Sequence, residues 1–415
     1  MKYLIAILLM LSTTALFAQT VQWRGEQRDG IFRQETNLLK TWTEEGPELL
    51  LEVEGIGKGW SSAVVDNNKI YVTGMIDTLD YLSCIDMEGN MLWQTACGRS
   101  WNQTFPDTRS TPTIRDNRAY VSTGMGVVVC IDTETGDIVW SNDAYNNNEG
   151  KVSTWGIAES ILLVGNKAIF TTAGDQTTMV ALDVETGQQL WQTKSLNDDL
   201  AYVSPILIKY NGKQQIINLT ARYLFGVNPD NGEMEWSYNY YEIDDSEWDN
   251  AGGVINCTSP IFIDGELYVS TGYNHIGAKF RMNESLTAIE LLWKDEALDN
   301  HHGGVVLLDG VIYGSNWENN SRGKWCALDF ETGELFYEEA FRNKGSIVAA
   351  DSMLYIYTEQ PGYVGLVKPT PEKFELVSSF RITKGSGPHW AHPYIDDGKL
   401  YIRHGEYLMV YDIKA

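Results

Sequence analysis

Asp183-Val184-Glu185-Thr186-Gly187-Gln188-Gln189-Leu190-Trp191 is one copy of a unit that runs through the chain. Its pattern is Asp, two variable residues, Thr-Gly, three variable residues and Trp. Asp132-Thr133-Glu134-Thr135-Gly136 leads in the same way to Trp140, and Asn228-Pro229-Asp230-Asn231-Gly232 to Trp236. Asp329-Phe330-Glu331-Thr332-Gly333 leads to Tyr337, a shortened Asp86-Met87-Glu88-Gly89 leads to Trp93, and a degenerate copy surrounds Trp293. Glycine supplies the positive φ of a tight hairpin, and Asp and Thr side chains bond back to the turn backbone. The Trp on the outgoing strand packs between neighbouring sheets. These residues carry architecture and are no part of a site.

Two more strands precede each unit, as in Ser62-Ala63-Val64-Val65 with Lys69-Ile70-Tyr71-Val72, and Ser259-Pro260-Ile261-Phe262 with Glu266-Leu267-Tyr268-Val269. Four strands recurring at roughly 40–45 residues are the blades of a β-propeller. Inner strands are expected to begin near Trp60, Arg109, Glu159, Tyr202, Cys257, His302, Lys344 and Trp390, which makes eight blades. The eighth lacks an outer strand, because the chain ends at Asp412-Ile413-Lys414-Ala415. Leu49-Leu50-Leu51-Glu52-Val53 is left over before blade one and is expected to complete the last blade, closing the ring without open edges. The expected division is a leader over 1–18, an N-terminal segment over 19–45 and an all-β, eight-bladed propeller of four-stranded blades over 46–415.

A single closed array accommodates 415 residues of ordinary globular composition, 43% hydrophobic and 21% charged. A formal net charge of -25 repels phosphate backbones and anionic headgroups, which argues against nucleic acid and bare membrane as partners. Lys2, the apolar run from Tyr3 and the small residue Ala18 read as a cleaved secretory leader, too short and interrupted for a membrane span. No cysteine near that cut offers a lipid anchor, so the mature chain is expected to be periplasmic or secreted, soluble and monomeric. Cys84 and Cys130 occupy the small slot that Ala181 and Ala327 fill in other repeats, while Cys97, Cys257 and Cys326 are free to pair. The odd count leaves at least one thiol.

The Asp-Thr-Gly-Trp copies resemble the tryptophan docking motif of the quinoprotein alcohol dehydrogenase-like superfamily, over roughly Trp42 to the C-terminus. Gln22-Trp23-Arg24-Gly25, Arg28-Asp29-Gly30, Arg109-Ser110-Thr111-Pro112-Thr113 and Gly387-Pro388-His389-Trp390-Ala391-His392-Pro393 look like the PQQ-binding-like propeller repeat proteins. Two kinds of relative share that fold. Quinone (PQQ)-dependent alcohol dehydrogenases carry a vicinal Cys-Cys disulfide against the quinone and a Ca²⁺ held by acids and amides. This chain has no adjacent cysteines and is shorter, so PQQ is implied by resemblance and opposed by the missing pair. The propeller lipoprotein of the outer-membrane barrel-assembly machinery is similar in size and blade number, but lipid-anchored.

Strand direction sorts the remaining residues. In each blade the innermost strand starts on the face where one blade hands over to the next, and the second-to-third-strand loop lies on that face too. The Asp-Thr-Gly turns lie opposite. His301 and His302 precede the inner strand of blade six, and His389 and His392 that of blade eight. His275 and His404 lie in second-to-third-strand loops. All six histidines therefore fall on the handover face, with Trp60, Trp101, Arg109, Trp155, Glu159, Trp248, Trp317 and Trp390, and beside the acidic loop 241–250.

The ligand-binding set expected from this sorting is Trp60, Arg109, Trp155, Glu159, His275, His301, His302, Trp317, His389, Trp390, His392 and His404. Aromatic faces would stack on rings or sugars, and Arg109 would pair with a carboxylate, phosphate or quinone oxygen. The same residues serve equally as a plug for the ring, with histidines satisfying loop backbones. A metal held by His301, His302, His389 and His392 with Glu159, or an acid–base pair of Glu159 with a histidine, is compatible with the pattern. The leading expectation is an exported module binding a small molecule, a glycan or an envelope protein. A quinone- or metal-dependent oxidoreductase and a carbohydrate-active propeller enzyme stand beside it.

Overall fold

Why the repeat folds as it does is visible at its turns. The computed structural model describes residues 19–151, 154–243, 255–273 and 275–415. The leader expected over 1–18, and Trp248 with the acids from position 244 onward, lie outside the described residues. At Asp132 the Oδ1 atom accepts from the amides of Glu134 and Thr135 at 2.9 and 3.1 Å, and Gly136 takes φ +77°. Asp183 and Asp329 repeat the device.

Each tryptophan then docks on the next blade. Trp140 Nε1 donates to the Val184 carbonyl at 2.8 Å, and a Cβ on Gly187 would meet its ring at 2.5 Å. Trp93 lies against Gly136, Trp191 against Gly232 and Trp293 against Gly333 in the same way. The turn glycine thus does two things: it adopts positive φ, and it leaves room for the ring of the preceding blade. Trp236 departs from the rule. Blade five carries only the degenerate turn, and Trp236 Nε1 donates to Gln215 Oε1 within its own blade at 2.9 Å.

Eight sheets result, and in all but the last the strands run from inner to outer edge in chain order. Blade one is Val64–Asp66, Lys69–Ile76, Leu79–Asp86 and Met91–Arg99. Blade eight is Tyr394–Asp396, Lys399–His404 and Tyr407–Asp412, completed on its outer edge by Glu48–Val53. That strand runs antiparallel, with Leu51 opposite Val410 and Val53 opposite Leu408, so the closure expected for the leftover segment is the one found. Arg403 reinforces it from inside, donating to carbonyls of Gly57, Ser61, Thr73 and Gly405 across the join. Helix is limited, among the described residues, to Ala144–Asn147 and a 3-10 turn at Tyr240–Glu242.

Two details are sharpened. Regular inner strands begin later than expected: Val64 rather than Trp60, Thr113 rather than Arg109, Leu162 rather than Glu159, Tyr394 rather than Trp390. Only Lys344 directly precedes its strand, Gly345–Ala350. Near the axis the eight lead-in segments bond across blades through short hydroxyls instead of through a ladder. Ser62 N donates to Thr111 Oγ1, Thr111 N to Ser160 Oγ, and Ser160 N to Ser204 Oγ, at 2.9 to 3.2 Å. Ser346 Oγ and Ser62 Oγ continue the ring onto the carbonyls of Ala391 and His392. The side chains of the lead-in segments are thereby delivered to the channel. Secondly, all five cysteines are free thiols. Cys97 lies on the outer strand of blade one, Cys257 in the lead-in of blade five and Cys326 on the third strand of blade six.

The N-terminal segment is more than a prefix. Ile31–Phe32 adds a parallel strand to the inner edge of blade seven. Val21 bridges to Ile114 of blade two. Between them Arg28 reaches the carbonyls of Ser160, Ile161 and Pro205 in blades three and four. Arg24 reaches those of Gly303, Val305 and Ile347 in blades six and seven. Both guanidiniums are buried, and burial pushes them down to about 10 for Arg24 and about 9 for Arg28. The segment is a plug that bonds to the ring from its axis.

Candidate functional site on the handover face

The lead-in segments and second-to-third-strand loops carry one connected set of rings on the handover face. The Arg109 guanidinium carbon sits 4.6 Å from the Trp60 ring centre. Trp60 meets Trp390 edge-on at 4.5 Å, and Trp390 meets His302 at 5.0 Å. His302 lies 4.0 Å from His301, His301 lies 4.8 Å from Tyr273, and Tyr273 lies 5.0 Å from Trp317. Phe105 flanks Trp390 at 5.7 Å and is 56% exposed. The set draws on blades one, two, five, six and eight, which only ring closure brings together. Trp60, Arg109, His302, Trp317 and Trp390 are half-buried, so their faces line a mouth instead of filling a core.

Backbone geometry supports this placement. Tyr273 has φ +67°, Phe105 φ +48° and Asp107 φ +94°, all unusual for side-chain-bearing residues. Arg109 donates to the carbonyls of Asp107 and Phe105, fixing its fork over Trp60. Burial is the main reason its guanidinium falls to about 10.

Beneath the mouth stands a carboxylate that sequence reading passed over. Glu359 Oε2 accepts from Lys344 Nζ at 3.0 Å. Its Oε1 faces His301 Nδ1 at 3.6 Å and His302 Nε2 at 3.5 Å. Lys344 also donates to the carbonyls of Asn319 and Asn320, and the Tyr273 hydroxyl lies 2.7 Å from His301 Nε2. Burial opposes the Glu359 charge, but His302, His301 and Lys344 outweigh it and hold the carboxyl below its usual range. Burial likewise pushes His301 and His302 down, against the pull of the facing carboxylate. Glu359 follows the second strand of blade seven, Met353–Thr358. The rule that sorted His275 and His404 therefore places it on the handover face as well.

The remaining histidines are drawn into the wall. His389 Nδ1 donates to the Glu359 carbonyl at 2.9 Å, and its ring stacks on His404 at 3.6 Å. Both nitrogens of His404 face carbonyls, of Lys384 and Gly387. His392 Nε2 faces the His302 carbonyl at 2.9 Å and therefore carries the proton, leaving Nδ1 to accept from Arg24 at 2.9 Å. Trp23 packs on the same ring at 5.3 Å. His275 is buried in its loop, and Trp101 is buried with Nε1 on the Thr104 carbonyl.

Glu159 belongs with the plug and blade three. Its Oε1 accepts from the Thr171 amide at 3.0 Å, and burial raises its carboxyl to about 8 despite the nearby Arg28. It is a neutral acid near pH 7. Trp155 packs with Tyr202 at 5.8 Å. Of the five groups first considered for a metal, His301 and His302 converge, with Glu359 in the place considered for Glu159. His389 directs Nδ1 to backbone, and His392 directs its two nitrogens to backbone and to Arg24.

The described residues do not build the quinone cradle that the resemblance implies. Its vicinal disulfide has no counterpart among five free, separated thiols. Glu359 is paired with Lys344 and faced by two imidazoles, a nitrogen-rich set unlike an oxygen cage for Ca²⁺.

A family model described as outer membrane protein assembly factor BamB matches residues 79–339. An uncharacterized protein of Rickettsia conorii is 23% identical over 227 residues, 53% of this chain and 48% of its own. The chain thus spans about half the length of that curated relative. Among solved structures, BamB from Moraxella catarrhalis aligns with TM-score 0.64 at 15% identity, covering 88% of this chain and all of that one (100%). Quinohemoprotein alcohol dehydrogenase from Comamonas testosteroni aligns with TM-score 0.68 at 12% identity, over 94% of this chain and 79% of that one. At these identities the structural likeness concerns the fold. No helix among the described residues is long and apolar enough to cross a membrane.

Proposed function

The chain belongs to the family described as outer membrane protein assembly factor BamB, and from that premise we propose that it is an exported binding propeller of the cell envelope. Its handover face takes a ligand at the mouth lined by Trp60, Arg109, His302 and Trp390. The observation that carries this reading is the unbroken contact from Arg109 through Trp60, Trp390, His302, His301 and Tyr273 to Trp317. Half-exposed Trp, Tyr and Arg gathered on one face are the composition of binding hot spots, where ring faces gain from losing water. Flat rings suit a sugar or an aromatic metabolite, and Arg109 suits a carboxylate at its edge. The family description favours a second reading, in which the same rings grip a segment of an envelope protein. The leader read over 1–18 supplies the export step. A quinone-dependent dehydrogenase is disfavoured by the separated thiols.

The test is a screen of metabolites, glycans and envelope-protein peptides against full-length protein, followed by Trp390→Ala. That variant should keep its far-UV circular dichroism and lose at least tenfold in affinity for the ligand found. A ligand bound equally well by Trp390→Ala would move the site elsewhere. Cell fractionation with and without residues 1–18 tests the export step.

A further inference from the structure

We propose that His301, His302 and Glu359 form a binding site for a late first-row divalent cation of the Zn²⁺ class, with its open side toward Trp390 and Arg109. Three ligand atoms, His301 Nδ1, His302 Nε2 and a Glu359 carboxylate oxygen, lie within 4.8 Å of one another. The two nitrogen–oxygen separations, 3.6 and 3.5 Å, are too long for hydrogen bonds. They are close to the edge of a tetrahedron with metal–ligand bonds of roughly 2.0–2.1 Å, which is about 3.3–3.4 Å. Neither His301 Nδ1 nor His302 Nε2 has a hydrogen-bond partner, although His301 is only 8% exposed. A buried imidazole nitrogen aimed at a carboxylate without bonding to it lacks the compensation that burial requires. A cation between them supplies it.

The surroundings are those of a ligand set held from behind. Tyr273 engages the far nitrogen of His301 at 2.7 Å, which orients the ring and leaves Nδ1 for the ion. Lys344 holds the other carboxylate oxygen at 3.0 Å, so Glu359 offers a single oxygen. The backbone carbonyl of Glu359 is held in turn by His389. Two adjacent histidines reach one point because the lead-in of blade six is irregular. In a strand their side chains would point to opposite faces. Two imidazoles and one carboxylate leave a fourth position, and Trp390 of the mouth lies 5.0 Å from His302. An oxygen donor of a ligand, a carboxylate for instance, would complete the coordination with Arg109 beyond it.

The site shares a face with the reading above and does not depend on it. Full-length protein would be stripped with chelator, loaded with Zn²⁺ or Co²⁺, desalted and assayed for bound metal by mass spectrometry. The expected result is one ion per chain, with tetrahedral visible bands for Co²⁺ and no retention of Ca²⁺ or Mg²⁺. His302→Ala, at a half-buried position that should leave the circular dichroism unchanged, is expected to abolish retention. Tyr273→Phe should weaken it by about 10–100-fold. Failure of folded wild-type protein to retain Zn²⁺ or Co²⁺, or retention unchanged in His302→Ala, overturns the proposal. A metal-free protein whose ligand still depends on Trp390 would sink the ion alone. A metal-loaded protein whose ligand ignores Trp390 would sink the binding mouth alone.

Discussion

Arg24 Nη1 stands 2.9 Å from Nδ1 of His392, across 368 residues of chain, and the contact ties the plug to the floor of the mouth. His392 donates its Nε2 proton to the carbonyl of His302, a member of the mouth itself. The N-terminal segment therefore helps to set the geometry of the handover face.

Removing the guanidinium should loosen the plug. Arg24→Met leaves the carbonyls of Val305 and Ile347 without their donor, at a cost of about 1–3 kcal/mol for each buried group left unsatisfied. Urea unfolding should show a lowered midpoint, and limited proteolysis should cut within residues 19–35 before the blades. A variant as stable and as protease-resistant as the parent would mean that the plug is held by other contacts.

Acid should act through the same contact. Burial, with Arg24 beside it, holds His392 down at about 3, against about 6.5 in an unfolded chain. Above pH 6.5 neither state binds the proton and the contribution is complete. As the pH falls from 6.5 toward 3 the unfolded chain takes up a proton that the folded chain refuses. Stability is lost over that window, at up to about 1.4 kcal/mol per pH unit for this group. His389, lowered to about 4 mainly by burial, acts in the same direction. Denaturation midpoints between pH 7 and pH 4 should fall less steeply in His392→Gln, and an equal slope would assign the effect to other groups.

The docking tryptophans predict stability differences between blades. Trp140 is 8% exposed and bonds to Val184, so Trp140→Ala should cost about 3–5 kcal/mol in chemical unfolding. Substituting Trp390, which no turn glycine receives, should cost less. The reverse order would contradict the division into architecture and mouth.

Thiol chemistry checks the compartment argument. Five free thiols predict five equivalents of reaction with a thiol reagent in denaturant without reductant. In the folded protein Cys84, Cys97, Cys130 and Cys326 should be protected by burial, and half-buried Cys257 should react slowly because burial pushes its thiol up to about 12. Fewer than five equivalents would reveal a disulfide.

The sequence by itself determined the blade. Asp183, Gly187 and Trp191 state a turn, its sign of φ and the ring that docks on the next turn, because these are local requirements that a few residues satisfy. The leftover strand around Leu51 was legible for a related reason: an apolar strand without a sheet needs an edge, and the last blade had one free. Strand direction placed all six histidines on one face, since alternation along a blade is local too. What each histidine does there was decided only by tertiary structure. His302 and Trp390 meet, His392 turns to Arg24, and Glu359 takes the place considered for Glu159, because ring closure sets distances between blades that no spacing along the chain encodes. Arg24 and Arg28 lay in legible motifs, yet their carbonyl partners in blades three, four, six and seven exist only once the ring has closed around them.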